Sequence, residues 1–331
     1  MSDKIIAIDA MGGDNAPIET VKGAVLASKT VKYGLALVGR ENVINEELKK
    51  YSYDADKIFV VNADDVIENC EMPTEAIKNK KNSSMVIGLN MVKDGQAVAF
   101  VSAGNTGALL TGATIIVGRI KGVKRPALGT MLPSEKNRVL MLDSGANVDA
   151  KAEYLVQYAQ MGSVYFENVL GKDNPTVGLI NIGTEREKGN AMVKEAYSLL
   201  EKANGINFVG NVEARDITLG DVDIVVCDAF VGNVILKVME GLSKTVLRIL
   251  KKALMSNLRS KIGALFAFPA FKKIQREFFE YDDIGGAPFL GLKGLVVKAH
   301  GSSDAGAVAG AIKQCEKFID GDIVNKIAER L

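Results

Sequence analysis

The chain carries one histidine, His300, in the run HGSS that ends at Ser303, and a lysine, Lys188, in the run NIGTEREKG from Asn181 to Gly189. An imidazole can give a proton or a hydrogen bond near neutral pH, and an ammonium can hold an anion. A third stretch, Val98 to Gly112, reads VAFVSAGNTGALLTG: an apolar strand-type run, a turn of small residues, then an apolar helix start. A strand that passes through a glycine-rich turn into a helix gathers unpaired N–H groups at one point, which favours an anion. Ser102, Gly104, Asn105 and Thr106 are the donors of that corner. It holds no Lys or Arg, and the chain has no Gly-Lys-Ser/Thr signature of a nucleotide-binding loop, so charge has to come from other segments. Lys188 stands at the mouth of a predicted helix, where a cation is disfavoured unless an anion sits beside it; this points to phosphate, the plain alternative being a solvated surface lysine. For His300 the plain alternative is a capping or hydrogen-bonding loop residue.

Neither a metal nor a cofactor is expected. Asp9 and Asp14 flank two glycines, but phosphate is a poor guest beside bare carboxylates and no His or Cys accompanies them. They read as turn and N-cap residues that position Lys or Arg side chains. Cys70, Cys227 and Cys315 are odd in number, far apart and in no C-x-x-C pair, which argues against a disulfide framework or thiolate metal site and suits a reducing cytosol.

The elements that must carry these loops follow one rule. Lys4–Asp9, Arg138–Asp143, Thr176–Ile182, Asp223–Asp228 and Gly294–Ala299 are short apolar strands that each end in a loop of small polar residues and pass into a helix. Further strands are predicted at Leu35–Gly39 and Lys57–Val61, and Ser83 or Ser84 caps a helix that Gly95 stops. Continuous apolar strands alternating with helices imply a mostly parallel sheet covered on both faces, with ligands beyond the strands' carboxyl ends. Any one such loop is a tight turn with a helix cap; several together imply convergence.

A net charge of +1 leaves no global field to recruit nucleic acid, and no apolar run reaches the length of a membrane span. No linker or repeat divides residues 1–331, so a single α/β domain is expected. One segment differs: a basic amphipathic helical excursion at about 243–280. Lys244, Arg248, Lys251, Lys252, Arg259 and Arg276 fall in a stretch without acidic residues, beside leucines at three- and four-residue steps, before an aromatic tip with Phe266 and Phe268 that is kinked or ended at Pro269. Three compatible readings stand: a subunit-facing helix with a solvated face, a dock for an acidic partner, or a helix lying on an anionic membrane.

Seven blocks in order, DAMGGD (Asp9–Asp14), SAGNTGA (Ser102–Ala108), DSGAN (Asp143–Asn147), NIGTEREKG, GNVILKVMEG (Gly232–Gly241), GGAPFLG (Gly285–Gly291) and HGSS, resemble those of the bacterial phosphate acyltransferase family of phospholipid synthesis, the PlsX family, nearly end to end. Ala229 and Ile284 depart from it, standing where Gly and Tyr are usual. The resemblance implies transfer of a long-chain fatty acyl group from acyl carrier protein to inorganic phosphate. It implies a three-layer α/β/α sandwich, similar to isocitrate and isopropylmalate dehydrogenases and phosphotransacetylases, with a protruding helical segment. It also implies a cytoplasmic homodimer in peripheral contact with an anionic membrane, where a membrane acyltransferase takes the product. Carried onto this chain, the catalytic pair is Lys188 and His300. The phosphate and substrate set is Gly12, Gly13, Asp14, Ser102, Gly104, Asn105, Thr106, Asn147, Asn181, Gly183, Thr184, Asn233, Ser302 and Ser303; carrier-protein or membrane contact falls to Lys244, Arg248, Lys251, Lys252, Arg259, Phe266 and Phe268. Rival readings are a short-chain phosphotransacetylase using coenzyme A, a dehydrogenase, which would need an arginine cluster that is not found, and a non-catalytic membrane scaffold.

Overall fold

A computed structural model describes residues 4–274 and 285–331. In chain order its strands are β1 (Ile5–Asp9), β2 (Gly34–Gly39), β3 (Ile58–Asn62), β4 (Ala99–Ser102), β5 (Ala127–Leu128), β6 (Thr130–Leu132), β7 (Val139–Leu142), β8 (Thr176–Asn181), β9 (Asn207–Glu213), β10 (Ile224–Val226), β11 (Gly286–Leu290) and β12 (Leu295–Ala299). The α-helices are α1 (Ile18–Ser28), α2 (Glu41–Leu48), α3 (Pro73–Asn79), α4 (Ser84–Lys93), α5 (Thr106–Gly112), α6 (Ala152–Tyr165), α7 (Ala191–Leu200), α8 (Ala229–Leu254), α9 (Leu258–Ile274), α10 (Ala305–Asp320) and α11 (Ile323–Arg330).

The strands form two sheets, ordered β3-β2-β1-β4-β12-β11-β5 and β6-β7-β10-β8-β9. The expected mostly parallel α/β architecture is present, divided between two sheets where the strand pattern implied one. The division falls at Gly129: β5 pairs antiparallel with β11, β6 pairs antiparallel with β7, and the single residue between them donates its N–H to Pro288 at 3.0 Å. Apolar runs carry no mark of which strand they will pair with, so the break is invisible until the antiparallel edges form.

Layering follows from the two-residue period of each strand. Ile6, Ile8, Leu35, Leu37, Ala99, Val101 and Val297 point to one side, where they pack with Val21 and Ala24 of α1 and Val308 and Ile312 of α10. Their alternates Ala7, Ala36, Val38, Phe100 and Val296 point to the other, against Met85 and Leu89 of α4 and Leu109 of α5. In the second sheet Leu140, Leu142, Ile224 and Val226 join the first of these cores, while Met141 and Val225 form a third with Val231, Ile235, Leu236 and Met239 of α8. Both faces of each sheet are covered, which is why these strands read as continuous apolar runs. Ser83, Asn105, Asn190, Asp228 and Asp304 each accept an N–H three residues on and start α4, α5, α7, α8 and α10, worth about 1 kcal/mol each. Asp14, expected as a cap, is not one: α1 starts at Ile18, and Pro17, in the cap position, offers no side-chain hydrogen bond.

The basic segment departs from expectation. It is a hairpin whose tip lies at 255–257, and α9 runs through Pro269 instead of ending there. The cause is local: Ser256 Oγ donates to the Ala253 carbonyl at 2.7 Å and Asn257 Oδ1 accepts from Ser260 N–H at 2.9 Å, a stop followed at once by a start. Phe266 and Phe268 therefore sit within α9, with 82% and 62% of their surface exposed, not at the tip. Residues 275–280 of the expected excursion, with Arg276, and Ile284 lie outside the described residues. Among the described residues no helix is long and apolar enough to cross a membrane.

Candidate active site

β1, β4 and β12 lie side by side in the first sheet and run parallel, so the three loops that follow them open at one edge. The DAMGGD loop is wedged between the other two. Gly13 has φ of +103°, and a Cβ there would stand 2.9 Å from Ala103 Cβ and 3.0 Å from the Gly301 carbonyl, so only glycine fits. Asp14 N–H donates to the Gly301 carbonyl at 2.8 Å, and the Asn15 amide donates to the Ser302 and Ser303 carbonyls. Beneath the wedge Asp9 is buried: its Oδ2 accepts from Ser102 Oγ at 2.7 Å, and Ser102 Oγ in turn accepts from Gly104 N–H at 3.1 Å. Burial pushes the Asp9 carboxyl above its usual range, against the bonds it receives from Ser84, Ser102, Met11 and Gly12.

The group that strand patterning hides is Lys298, near the end of β12. It is 9% exposed, and its Nζ donates to the Ala103 carbonyl at 3.1 Å and to the Ala299 carbonyl. Two of three ammonium donors are thus placed, and among the described residues no carboxylate pairs with it. Burial lowers its pKa to about 8, with Asp9 and Asp14 pulling the other way. A charged residue in the buried run GLVVKA was the available signal.

His300 follows two residues later. Ser302 N–H donates to its Nδ1 at 3.2 Å and Ser302 Oγ lies 2.9 Å away, which assigns the neutral ring's proton to Nε2. Nε2 faces Glu240 Oε1 of α8 at 3.8 Å, and Glu240 Oε2 accepts from Lys237 at 3.0 Å. Burial lowers the His300 pKa, Glu240 opposes, and Lys237, Lys298 and Lys244 add to the lowering. Lys237 and Glu240 were not anticipated; neither stands in a strand-end loop.

The structure spends several predicted groups on the fold. Ser102 Oγ is taken by Asp9 and Gly104. The Asn105 amide caps α5 and donates to the carbonyls of Glu68, Asn69 and Glu71, so its side chain is committed. Thr106 N–H opens α5, and Asp14 Oδ1 accepts from Asn69. Asn147 holds Asp143, whose buried carboxylate accepts from the N–H groups of Leu128, Gly145, Ala146 and Asn147 and from the Asn147 amide. Gly232 lets α8 approach that loop: a Cβ there would stand 2.0 Å from the Asp143 carbonyl. Asn233 is exposed on α8 and Ser303 Oγ is buried without a partner among the described residues.

Asn181, Gly183, Thr184 and Lys188 sit apart, at the end of β8 in the second sheet. Lys188 is exposed, its carbonyl accepting from the Asn181 amide at 3.1 Å; among the described residues no hydrogen bond or ion pair joins it to the His300 group. The two predicted catalytic residues are therefore not in contact in this chain. What links them is α8, which starts beside Asn181 and passes His300 with Lys237 and Glu240. Among the described residues no three His, Cys, Asp or Glu gather in a way that could hold a metal.

Two mostly parallel sheets covered by helices, with strand-end loops gathered over a buried ammonium, define an α/β protein of the layered type. The sequence model of the family described as "Fatty acid synthesis protein" matches residues 5–326, and the chain belongs to that family. It is similar to the phosphate acyltransferase of Clostridium acetobutylicum, 50% identical over 328 residues covering 99% of this chain and 98% of that one, which puts it among the acyltransferases. Among solved structures it resembles a phosphotransacetylase from Streptococcus pyogenes (TM-score 0.60, 15% identity, 97% of this chain and 94% of that one). It also resembles a 4-hydroxythreonine-4-phosphate dehydrogenase from Burkholderia phymatum (TM-score 0.52, 14% identity, 95% and 98%). These two likenesses concern the fold, and they match the kinship with phosphotransacetylases and dehydrogenases expected of it.

Proposed function

We propose that this protein transfers a long-chain fatty acyl group from an acyl carrier protein thioester to inorganic phosphate, giving an acyl phosphate. The observation that carries the reading is the meeting of the Gly13, Ala103 and Lys298–His300 segments, which brings a buried ammonium with one unspent donor close to the chain's one imidazole. Ser102 is committed to Asp9, and burial raises the thiols of Cys227 and Cys315. Such a site suits a reaction whose nucleophile arrives from solution. Phosphate is one, with a second pKa near that of phosphate monoesters, about 6.

In this reading Lys298 spends its third donor on a phosphate oxygen, holding it in line with the thioester carbonyl. A phosphate oxygen attacks the carbonyl carbon, backbone N–H groups steady the oxyanion, and the carbon–sulfur bond breaks. The leaving thiolate, whose conjugate acid has a pKa of about 8.5, is steadied by a hydrogen bond from the His300 Nε2–H and takes up the proton that the phosphate carried. In the same reading Lys188, exposed after β8, meets the phosphate or the carrier's linker. Docking of the acidic carrier falls to Lys244, Arg248, Lys251, Lys252 and Arg259, all exposed on the hairpin. Phe266 and Phe268 enter an anionic cytoplasmic membrane surface, where a membrane acyltransferase takes the product, and the unit is a homodimer.

Incubation of the pure protein with palmitoyl-carrier protein and labelled phosphate tests this. The expected product is a labelled, hydroxylamine-sensitive acyl phosphate formed together with free carrier thiol. Intact thioester after prolonged incubation would refute the reading.

A further inference from the structure

Beside Asn181 the start of α8, the start of α7 and the end of β8 enclose a cavity of about 440 Å³. Its walls are Leu179 of β8, Met192 and Val193 of α7, and Phe230, Val231 and Val234 of α8. Three polar side chains also border it, and each has at least one polar atom committed to the local fold. Asn181 accepts from Ile182 N–H and donates to the Lys188 carbonyl; Asn190 caps α7; Asp228 caps α8. The rest of the lining is almost wholly apolar and holds no Lys, Arg or His to recognise a phosphate, whereas a hydrocarbon asks only for apolar wall. The cavity is not sealed: Phe230 and Val234 are 63% and 47% exposed, and Val238 and Leu242 continue the same four-residue ridge along α8 past Glu240. An exposed apolar ridge therefore leads out of the cavity along α8, on a different side of the helix from Glu240.

We propose that this cavity holds the hydrocarbon chain of the acyl donor. The proposal rests on the acyl transfer argued above and names the place of the chain. Each methylene buried contributes about 0.8 kcal/mol, so KM should fall about fourfold for each methylene added until the cavity is full. Val234→Trp fills the space from a position exposed enough to accept the larger ring.

The test compares palmitoyl- and butyryl-carrier protein with the unaltered protein and with V234W, alongside photolabelling by a diazirine palmitate. The expected result is a loss of tenfold or more in kcat/KM on palmitoyl donor with butyryl transfer unchanged, and label on α7 and α8 of the unaltered protein that V234W abolishes. Equal loss on both donors, or label elsewhere, would overturn the proposal. So would a V234W effect on both donors that tracks a change in sedimentation, since the occupant would then be a second copy of this chain. Label in the cavity with no acyl phosphate from any donor would retain the chain site and reject the transfer reaction. If V234W does not fold, the labelled peptides of the unaltered protein decide the proposal alone.

Discussion

Replacing Lys298 by Met separates a buried ammonium that binds an anion from one that merely ties two loops. Burial brings this lysine from 10.5 down to about 8. Each pKa unit is about 1.4 kcal/mol of difference between the two protonation states, so keeping the side chain charged in the fold costs about 3 kcal/mol relative to water. The bonds to the Ala103 and Ala299 carbonyls return part of that. Between about pH 8 and 10.5 the unfolded chain holds a proton that the folded chain has released, so the stability of the unaltered protein rises with pH through this window; below it the cost is present in full. Paired urea titrations should show the unaltered protein gaining about 2 kcal/mol on Lys298→Met between about pH 7.5 and 9.5, with other groups cancelling in the difference. Activity should run the other way. Phosphate-dependent thiol release should fall as pH rises through about 8, and Lys298→Met should be about 30- to 100-fold slower near pH 7, the worth of one charge-assisted hydrogen bond. A stability difference that ignores pH would refute the buried titration, and full turnover by the variant would refute the anion contact.

His300→Ala should lower kcat about tenfold to hundredfold on carrier thioesters, and the loss should shrink on an aryl thioester, whose more acidic thiol leaves without help; an equal loss on both would remove assistance to the leaving thiolate from the reading. Asp143→Ala leaves four backbone N–H groups and the Asn147 amide without their acceptor and should cost about 4 kcal/mol in urea denaturation, with Asp143→Asn milder because it keeps the oxygen shared by Leu128, Gly145 and Ala146. Lys251→Glu with Lys252→Glu should reduce kcat/KM for carrier thioesters more than for small acyl donors, with the gap closing as salt is raised; equal loss at all ionic strengths would exclude docking.

Much of the site's scaffolding was legible because it is local. The alternation of Ile6, Ala7 and Ile8, the cap at Ser83, and the turn from Ser102 to Thr106 depend on neighbours a few residues away. The groups missed are those whose meaning comes from distance along the chain. Lys298 looks like an exposed interruption of an apolar strand until Ala103, 195 residues earlier, closes over it. Lys237 and Glu240 look like an ordinary helix ion pair until His300 is brought beside them. Asn105 and Ser102 do lie at the corner, but their side chains hold the loops in shape.

By itself the sequence determined an α/β chain of capped helices and buried strands whose small polar loops gather at strand ends, because propensity, period and capping are set within a turn or two. Only tertiary structure decided the rest. It split the strands into two sheets at Gly129, folded the basic segment into a hairpin, set Lys188 and His300 at the ends of strands in different sheets, and buried an ammonium beside Ala103. These outcomes depend on which surfaces pack together, and burial is a property of the assembled fold that no window of residues contains.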